Sequence, residues 1–154
     1  MSLDDFLKIG TTVPIGSYRF DADSIKAFAR KYDPQPFHLD DEAAGRSVFG
    51  RLCASGWHTA AAWMKCNIET GAGGRLWGGS GAPPEFGPSP GFRNLKWPKP
   101  VYAGETVAYS RKVLHHRPLS SRPGWHLLAI RAAGVDSTRD TVIEFETSVL
   151  LKIP

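Results

Sequence analysis

The segment Thr-Val-Ile-Glu-Phe-Glu-Thr-Ser-Val-Leu-Leu-Lys-Ile, residues 141–153, alternates apolar and polar side chains. Successive side chains of a strand point to opposite faces, so this alternation predicts a long strand with one buried face. Two further long strands are predicted at 106–116 and 125–136, because the intervening residues are rich in Pro, Gly, Ser and Asp, as hairpin turns are. The predicted buried face of the last strand consists of Ile143, Phe145, Thr147, Val149, Leu151 and Ile153.

A helix is predicted before these strands, from residue 56 to residue 69. Ser55 is a suitable N-cap, and Gly71 is a suitable residue to end the helix. Apolar residues recur at helical spacing, which predicts a helix buried by one apolar stripe. The stripe consists of Trp57, Ala60, Ala61, Met64 and Ile68.

The first third of the chain predicts a strand at 12–20 and then a helix capped by Asp21 or Asp23. Pro34 and Pro36 stop that helix, so residues 32–38 should form an ordered turn or loop, followed by a short helical piece at 40–46. Residues 71–91 are rich in Gly and Pro and predict an irregular flap, and a strand should follow at 92–97. One domain over residues 1–154 is expected, α+β in class, with a curved antiparallel sheet wrapped around the central helix.

Composition narrows the classes of function. The 154 residues include 42% hydrophobic and 22% charged residues, without an apolar run long enough to cross a bilayer. The N-terminus lacks the pattern of a signal peptide, so we expect a cytoplasmic protein with no membrane partner. The net charge of +4 is scattered, which argues against nucleic acid as a partner. Cys53 and Cys66 fit reduced, structural thiols.

Asp33 and His38 lie five residues apart in the proline-braced segment. A carboxylate and an imidazole placed together can hold a water molecule and exchange protons with a substrate carbon. By spacing alone, a solvated aspartate and a surface histidine fit better. His115, His116 and His126 show no ligand spacing with cysteines or carboxylates, so we expect no metal.

Gly56 opens the central helix, where unpaired backbone N–H groups and the positive end of the helix dipole lie. A glycine lets a carbonyl oxygen approach closely, and such an N–H could stabilise an enolate-like oxygen. A glycine that only permits tight packing fits the local sequence equally well.

Taken together, these segments resemble the MaoC-like dehydratases, which include the (R)-specific enoyl-CoA hydratases. The family's motif of Asp, any residue, Asn, Pro, any residue and His is matched by residues 33–38, with Gln35 in the place of Asn. Residues 38–40, 49–51 and 54–59 and the turn at 100–106 are also similar to the family. Met64 stands where some hydratases have a serine that orients the aspartate.

The resemblance implies a hot-dog fold, a homodimer or dimer-based oligomer, and a lyase that adds water to or removes it from a 2-enoyl thioester. It implies Asp33 and His38 as catalytic residues and the Gly56 N–H as oxyanion donor. Gln35, Ser55 and Trp57 are the expected substrate-binding residues. Coenzyme A would enter as part of the substrate, and no separate cofactor is expected.

Two other functions remain open for this scaffold. An acyl-CoA thioesterase of this fold commonly carries an acidic residue on or near the central helix, where this chain offers only Glu69, at the far end. A non-catalytic module that binds acyl thioesters would need no proton transfer.

Overall fold

The computed structural model describes residues 1–71 and 77–154. Within these ranges the chain forms short and long helices and an antiparallel sheet. The helices are α1 (Leu3–Leu7), α2 (Ala22–Tyr32), α3 (Pro36–Leu39), α4 (Asp41–Gly45) and α5 (Gly56–Thr70). The strands are β1 (Thr12–Arg19), β2 (Glu85–Phe86), β3 (Gly91–Lys96), β4 (Thr106–Pro118), β5 (Trp125–Val135) and β6 (Thr141–Lys152).

The sheet has the order β1-β4-β5-β6, and both β2 and β3 pair with β6. All of these pairings are antiparallel. The predicted meander of three long strands is confirmed. Along β6, Ile143, Thr147 and Leu151 of the predicted buried face are buried, but Val142 beside Ile143 is fully buried as well, so the alternation is incomplete. The chain therefore has the expected α+β architecture.

Hydrogen bonds from buried aromatic and hydroxyl side chains fix α5 against the sheet. The Tyr109 hydroxyl donates to the Thr59 carbonyl over 2.8 Å, and the Trp63 indole N–H donates to the Ser110 carbonyl over 2.9 Å. Polar groups on buried aromatic rings need such partners, so these bonds restrict how α5 can slide along β4. The start of the helix is thereby held in a fixed place.

The predicted buried stripe of α5 is wrong, because most of its residues face away from the core. Trp57, Met64 and Ile68 are 50%, 42% and 70% exposed, and Ala61 is also exposed. The residues that face the core are His58, Thr59, Ala62, Trp63 and Cys66. Apolar residues occur on both faces of this helix, so periodicity could not select the buried one.

Two segments predicted as irregular contain short regular elements. Residues 36–38, predicted as turn or loop, belong to α3, because Pro36 is tolerated in the first turn of a helix, where its missing N–H is not needed. Residues 85–86 of the predicted flap form β2 opposite Leu151 and Lys152. Residues 72–76 of the flap lie outside the described residues.

The N-terminal helix α1 covers a second apolar cluster near the end of the long strands. Phe6 and Leu7 are buried there against Val113, Leu128 and Ile130. The Ser2 side chain caps α1 by accepting from the Asp5 N–H. No helix in the described part of the chain is long and apolar enough to span a membrane.

Candidate active site at the start of helix α5

The structure brings Asp33 and His38 together between two helices. Asp33 is the C-terminal cap of α2, where its N–H donates to the Ala29 carbonyl, and His38 lies in α3. The intervening Pro34 disfavours a continuing helix at Asp33, so the chain turns at this point. The Asp33 Oδ2 and His38 Nε2 atoms lie 3.4 Å apart, and both side chains are largely buried.

Two donors hold the Asp33 carboxylate. The Ser55 hydroxyl donates to Oδ2 over 2.7 Å, and the Gln35 side-chain amide donates to Oδ1 over 2.6 Å. Gln35, expected to bind substrate, thus has a donor occupied by Asp33. Position 64 supplies no hydroxyl in this chain, and Ser55 provides the hydroxyl that orients the aspartate.

A main-chain carbonyl orients the His38 imidazole. Nδ1 lies 2.6 Å from the carbonyl oxygen of Cys53. A carbonyl can only accept a hydrogen bond, so Nδ1 carries the proton, and Nε2 of the neutral ring has a lone pair. That lone pair faces Asp33. The pair therefore places two hydrogen-bond acceptors 3.4 Å apart.

The Cys53 side chain lies beside this imidazole but is poorly suited to act as a nucleophile. Burial raises the pKa of the Cys53 thiol to about 11. A thiol with such a pKa stays protonated at neutral pH, whereas the thiolate is the reactive form. Both cysteines are free and buried, in agreement with the sequence prediction.

Ser55 connects the Asp33–His38 pair to the start of α5. Its side chain is fully buried, caps the helix by accepting from the Trp57 N–H over 3.2 Å, and donates to Asp33. Gly56 follows as the first helical residue, and its N–H belongs to the amides that have no partner within the helix. A carboxylate, an imidazole and a helix-start amide are thus gathered around one serine.

Two indole rings border the start of the helix. Trp57, expected to bind substrate, is half-exposed and packs edge-to-face on Trp97, with ring centroids 5.1 Å apart. The Trp97 indole N–H donates to the Gly56 carbonyl over 3.0 Å. Sequence reasoning did not connect Trp97 to the site, because the two residues are far apart in the chain.

A separate apolar cavity of about 350 Å³ lies along the second half of α5. Met64 is its lining residue nearest in sequence to Gly56, and eight helical residues span about 12 Å. Asp33 and His38 do not line this cavity, so the cavity is separate from the candidate active site at the start of α5. The lining includes Leu7, Met64, Asn67, Ile68, Val113 and Val149.

The other histidines form no cluster of metal ligands. His116 Nδ1 lies 2.9 Å from His126 Nδ1, and His116 Nε2 lies 2.9 Å from the Asp4 carboxylate. Over residues 1–71 and 77–154, no group of three or more His, Cys, Asp or Glu side chains could hold a metal ion. His58 is buried under Phe28, with the two rings stacked 4.6 Å apart.

Comparison with known proteins identifies the family of the chain. A family model described as the MaoC like domain matches residues 8–120. The chain belongs to the MaoC-like dehydratase family. The solved MaoC-like dehydratase from Rhodospirillum rubrum is 34% identical, with a TM-score of 0.82 over 100% of this chain and 98% of that chain. This similarity confirms the expected hot-dog fold.

Two further proteins extend the comparison across the family. The uncharacterized protein YdeM of Bacillus subtilis (strain 168) is 30% identical to this MaoC-like chain over 152 residues, 99% of each. The unliganded R-hydratase PhaJ1 from Pseudomonas aeruginosa is 18% identical, with a TM-score of 0.68 over 95% of this chain and 83% of that chain. At that identity the likeness to PhaJ1 bears on the fold alone.

Proposed function

We propose that this MaoC-like protein is a hydro-lyase that adds water to a 2-enoyl-CoA and removes it from the corresponding 3-hydroxyacyl-CoA. The observation that carries the proposal is the bridge made by Ser55, which links the Asp33–His38 pair to the first amide of α5. The family comparisons support dehydratase chemistry, and the acyl-CoA substrate is our extension of it. No cofactor is needed, because coenzyme A arrives as part of the substrate.

Asp33 and His38 would hold the attacking water. The carboxylate and the Nε2 lone pair are both acceptors, so one water molecule can donate a hydrogen bond to each of them. Its oxygen lone pair is then free to attack C3 of the enoyl group. As the new C–O bond forms, the pair takes one proton from the water and passes that same proton to C2. Dehydration reverses these steps.

The Gly56 N–H would stabilise the charge that develops on the thioester oxygen. When water adds to C3, the electrons of the C2–C3 double bond move toward the carbonyl and give it enolate character. An unpaired amide at the positive end of a helix is a suitable donor for that oxygen. The same amide would also polarise the carbonyl before attack.

The described residues disfavour a thioesterase of the kind that uses an acidic residue on the central helix. Glu69 is 61% exposed and forms an ion pair with Lys65 on the same helix. It lies thirteen residues beyond Gly56, about 20 Å along the helix axis. Glu69 therefore stands far from the amide that would bind the thioester carbonyl.

We further propose that the protein is a homodimer that covers the exposed face of α5. Trp57, Met64 and Ile68 are all at least 42% exposed and occupy one stripe of the helix. A contiguous apolar surface of this kind marks an interaction site in soluble proteins. A second copy can offer the same apolar stripe in return, as a two-fold interface requires.

Sedimentation should show a dimer, and Ile68→Glu should shift it toward monomer. A wild-type monomer at working concentration would contradict this assembly.

The proposed reaction is tested with crotonyl-CoA and longer enoyl-CoA substrates, by following loss of the enoyl absorbance. We expect Asp33→Asn to lower kcat by about 10²–10⁴-fold, because the isosteric amide cannot accept the water's proton. The matched control is Asp41→Asn, which removes an exposed carboxylate that pairs with Lys26.

Each other outcome would discard a different part of the proposal. Hydration that survives Asp33→Asn undiminished would remove Asp33 from the reaction. Release of free thiol without hydration would identify a thioesterase. Tight binding of acyl-CoA without turnover on any substrate would identify a binding module.

A further inference from the structure

Side-chain hydrogen bonds fix the backbone on both sides of Gly56, at Ser55 before it and at the Gly56 carbonyl after it. On one side, Ser55 is fixed by its bond to Asp33 and by the Trp57 N–H. On the other side, the Gly56 carbonyl accepts from the Thr59 hydroxyl over 2.6 Å and from the Trp97 indole N–H over 3.0 Å. Two side-chain donors on one carbonyl are more than a helix requires there.

The Trp97 ring also occupies the space where a side chain at position 56 would lie. A Cβ atom built on Gly56 would clash with the ring atom Cε2 of Trp97 and would meet two more ring atoms within 2.8 Å. Contacts this short do not occur in proteins, so only glycine leaves room for the indole. Trp97 follows β3 directly and precedes Pro98, which restricts its backbone.

Restriction at this residue matters because glycine has more conformational freedom than any other residue. A catalytic amide is most effective when it already points to where charge develops, with no rearrangement during the reaction. An unrestrained glycine at a helix start would lose part of that advantage. The two donors and the indole packing remove this freedom before substrate arrives.

We propose that Trp97 and Thr59 are positioning residues that hold the carbonyl and Cα of Gly56 in place, so that its N–H, anchored on the other side through Ser55, is preorganised as the oxyanion donor. This inference rests on the proposed hydro-lyase function. Trp97 acts through both its N–H and its ring, and Thr59 acts through its hydroxyl. Neither residue needs to touch the substrate.

The experiment compares Trp97→Phe and Thr59→Val with wild type. Trp97→Phe keeps an aromatic ring and removes the N–H, whereas Thr59→Val keeps the shape of the side chain and removes the hydroxyl. Thr59→Ser restores a hydroxyl and serves as the rescue variant. Trp125→Phe is the matched control, since Trp125 lies in β5 with the Arg122 guanidinium over its ring.

Two measurements are made on each variant. The first is the order parameter of the Gly56 amide in protein labelled with ¹⁵N-glycine, which reports rigidity without any substrate. The second is kcat and KM for hydration of crotonyl-CoA across pH. We expect Trp97→Phe and Thr59→Val to lower the order parameter of Gly56 and to reduce kcat about 10-fold, with KM and the shape of the pH profile unchanged. Thr59→Ser and Trp125→Phe should match wild type in both.

The two measurements separate failure of this inference from failure of the proposed function. A wild-type protein without hydratase activity would overturn the proposed function, whatever the order parameters show. Gly56 order that is unchanged in both Trp97→Phe and Thr59→Val would overturn the positioning role. Reduced order of Gly56 with undiminished kcat would also overturn it, because the rigidity would then serve no catalytic purpose.

Discussion

Two aspartate–histidine pairs occupy different parts of this molecule, and the pair with the longer contact is the better buried. Asp33 and His38 lie 3.4 Å apart, with their side chains 16% and 7% exposed. Asp4 and His116 lie 2.9 Å apart, with their side chains 69% and 19% exposed. Contact distance alone would select the second pair as the more strongly bonded.

The partners of each pair explain why only the first suits proton transfer. The His38 Nδ1 atom donates to the Cys53 carbonyl, so Nε2 is left facing the Asp33 carboxylate. His116 contacts Asp4 through one ring nitrogen and His126 through the other, so both are occupied. A pair becomes a candidate site when its neighbours orient both groups and leave one ring nitrogen facing the carboxylate.

The largest expected effect comes from deleting one imidazole of each pair. In His38→Asn the new amide can still donate to the Cys53 carbonyl, but the acceptor that faces Asp33 is lost. We expect kcat for enoyl-CoA hydration to fall by about 10²–10⁴-fold. His116→Asn should leave kcat unchanged. Equal losses in the two variants would show that the comparison does not identify the site.

The next effect concerns His58, an imidazole with no carboxylate in hydrogen-bond contact. Burial lowers the pKa of His58 to about 4, and Asp21 offsets this only in part. The unfolded chain binds that proton near pH 6.5. The free energy of unfolding should therefore fall as pH drops from about 6.5 to about 4, and by about 2 kcal/mol at pH 5.

Urea denaturation at pH 7.5 and pH 5 measures this effect. His58→Gln has no titrating ring, so its free energy of unfolding should lose this part of the pH dependence. An identical pH dependence in wild type and His58→Gln would refute the role of this ring.

A smaller effect is expected from Ser55→Ala, which removes one donor from Asp33 and the cap of α5. We expect a fall in kcat of about 10-fold, because hydrogen bonds to a charged group contribute about 1.5–3 kcal/mol and Gln35 still holds the carboxylate. Loss of a cap costs about 1 kcal/mol of stability. Asp21→Ala removes the cap of α2 and is the matched control, with similar loss of stability and unchanged kcat. Equal kcat values in the two variants would refute the orienting role of Ser55.

The smallest effect belongs to the Asp4–His116 pair itself. An exposed ion pair contributes less than about 1 kcal/mol, so Asp4→Asn should barely change global stability. Burial and the neighbouring His116 lower the pKa of His126, so that ring favours its neutral form. The stability that neutral His126 contributes is present above the pKa of this histidine in the unfolded chain. It is lost as pH falls toward the lower pKa of His126 in the folded protein. Hydrogen exchange of the α1 amides should be faster in Asp4→Asn at neutral pH, and unchanged exchange would show that the pair does not hold α1.

Local signals in the sequence predicted the helix boundaries around the candidate site, whereas the choice of Asp33, His38 and Gly56 came from the family resemblance. Pro34 and the capping residues Asp21 and Ser55 mark where α2 ends and where α2 and α5 begin, and those boundaries agree with the structure. Asp33 lies at the end of α2 and Gly56 at the start of α5, so the residues that mark these helix ends also place Asp33 and Gly56. The long strands were predicted for a similar reason, since alternation and turn residues are both local.

Features set by contacts between distant residues were not predicted. The buried face of α5 is decided by partners such as Ser110, which accepts from Trp63, and a residue's own sequence neighbours do not encode that choice. Trp97 reaches Gly56 across 41 residues of chain. The acceptor for His38 is a backbone carbonyl, which every residue possesses, so no residue type could have indicated it.

That backbone acceptor has a consequence for how the protein tolerates change. Because the oxygen that orients His38 belongs to the main chain of Cys53, no substitution at position 53 can delete it. The Cys53 thiol can therefore be replaced by another small side chain, for labelling or immobilisation at other sites, without removing the group that sets the imidazole tautomer.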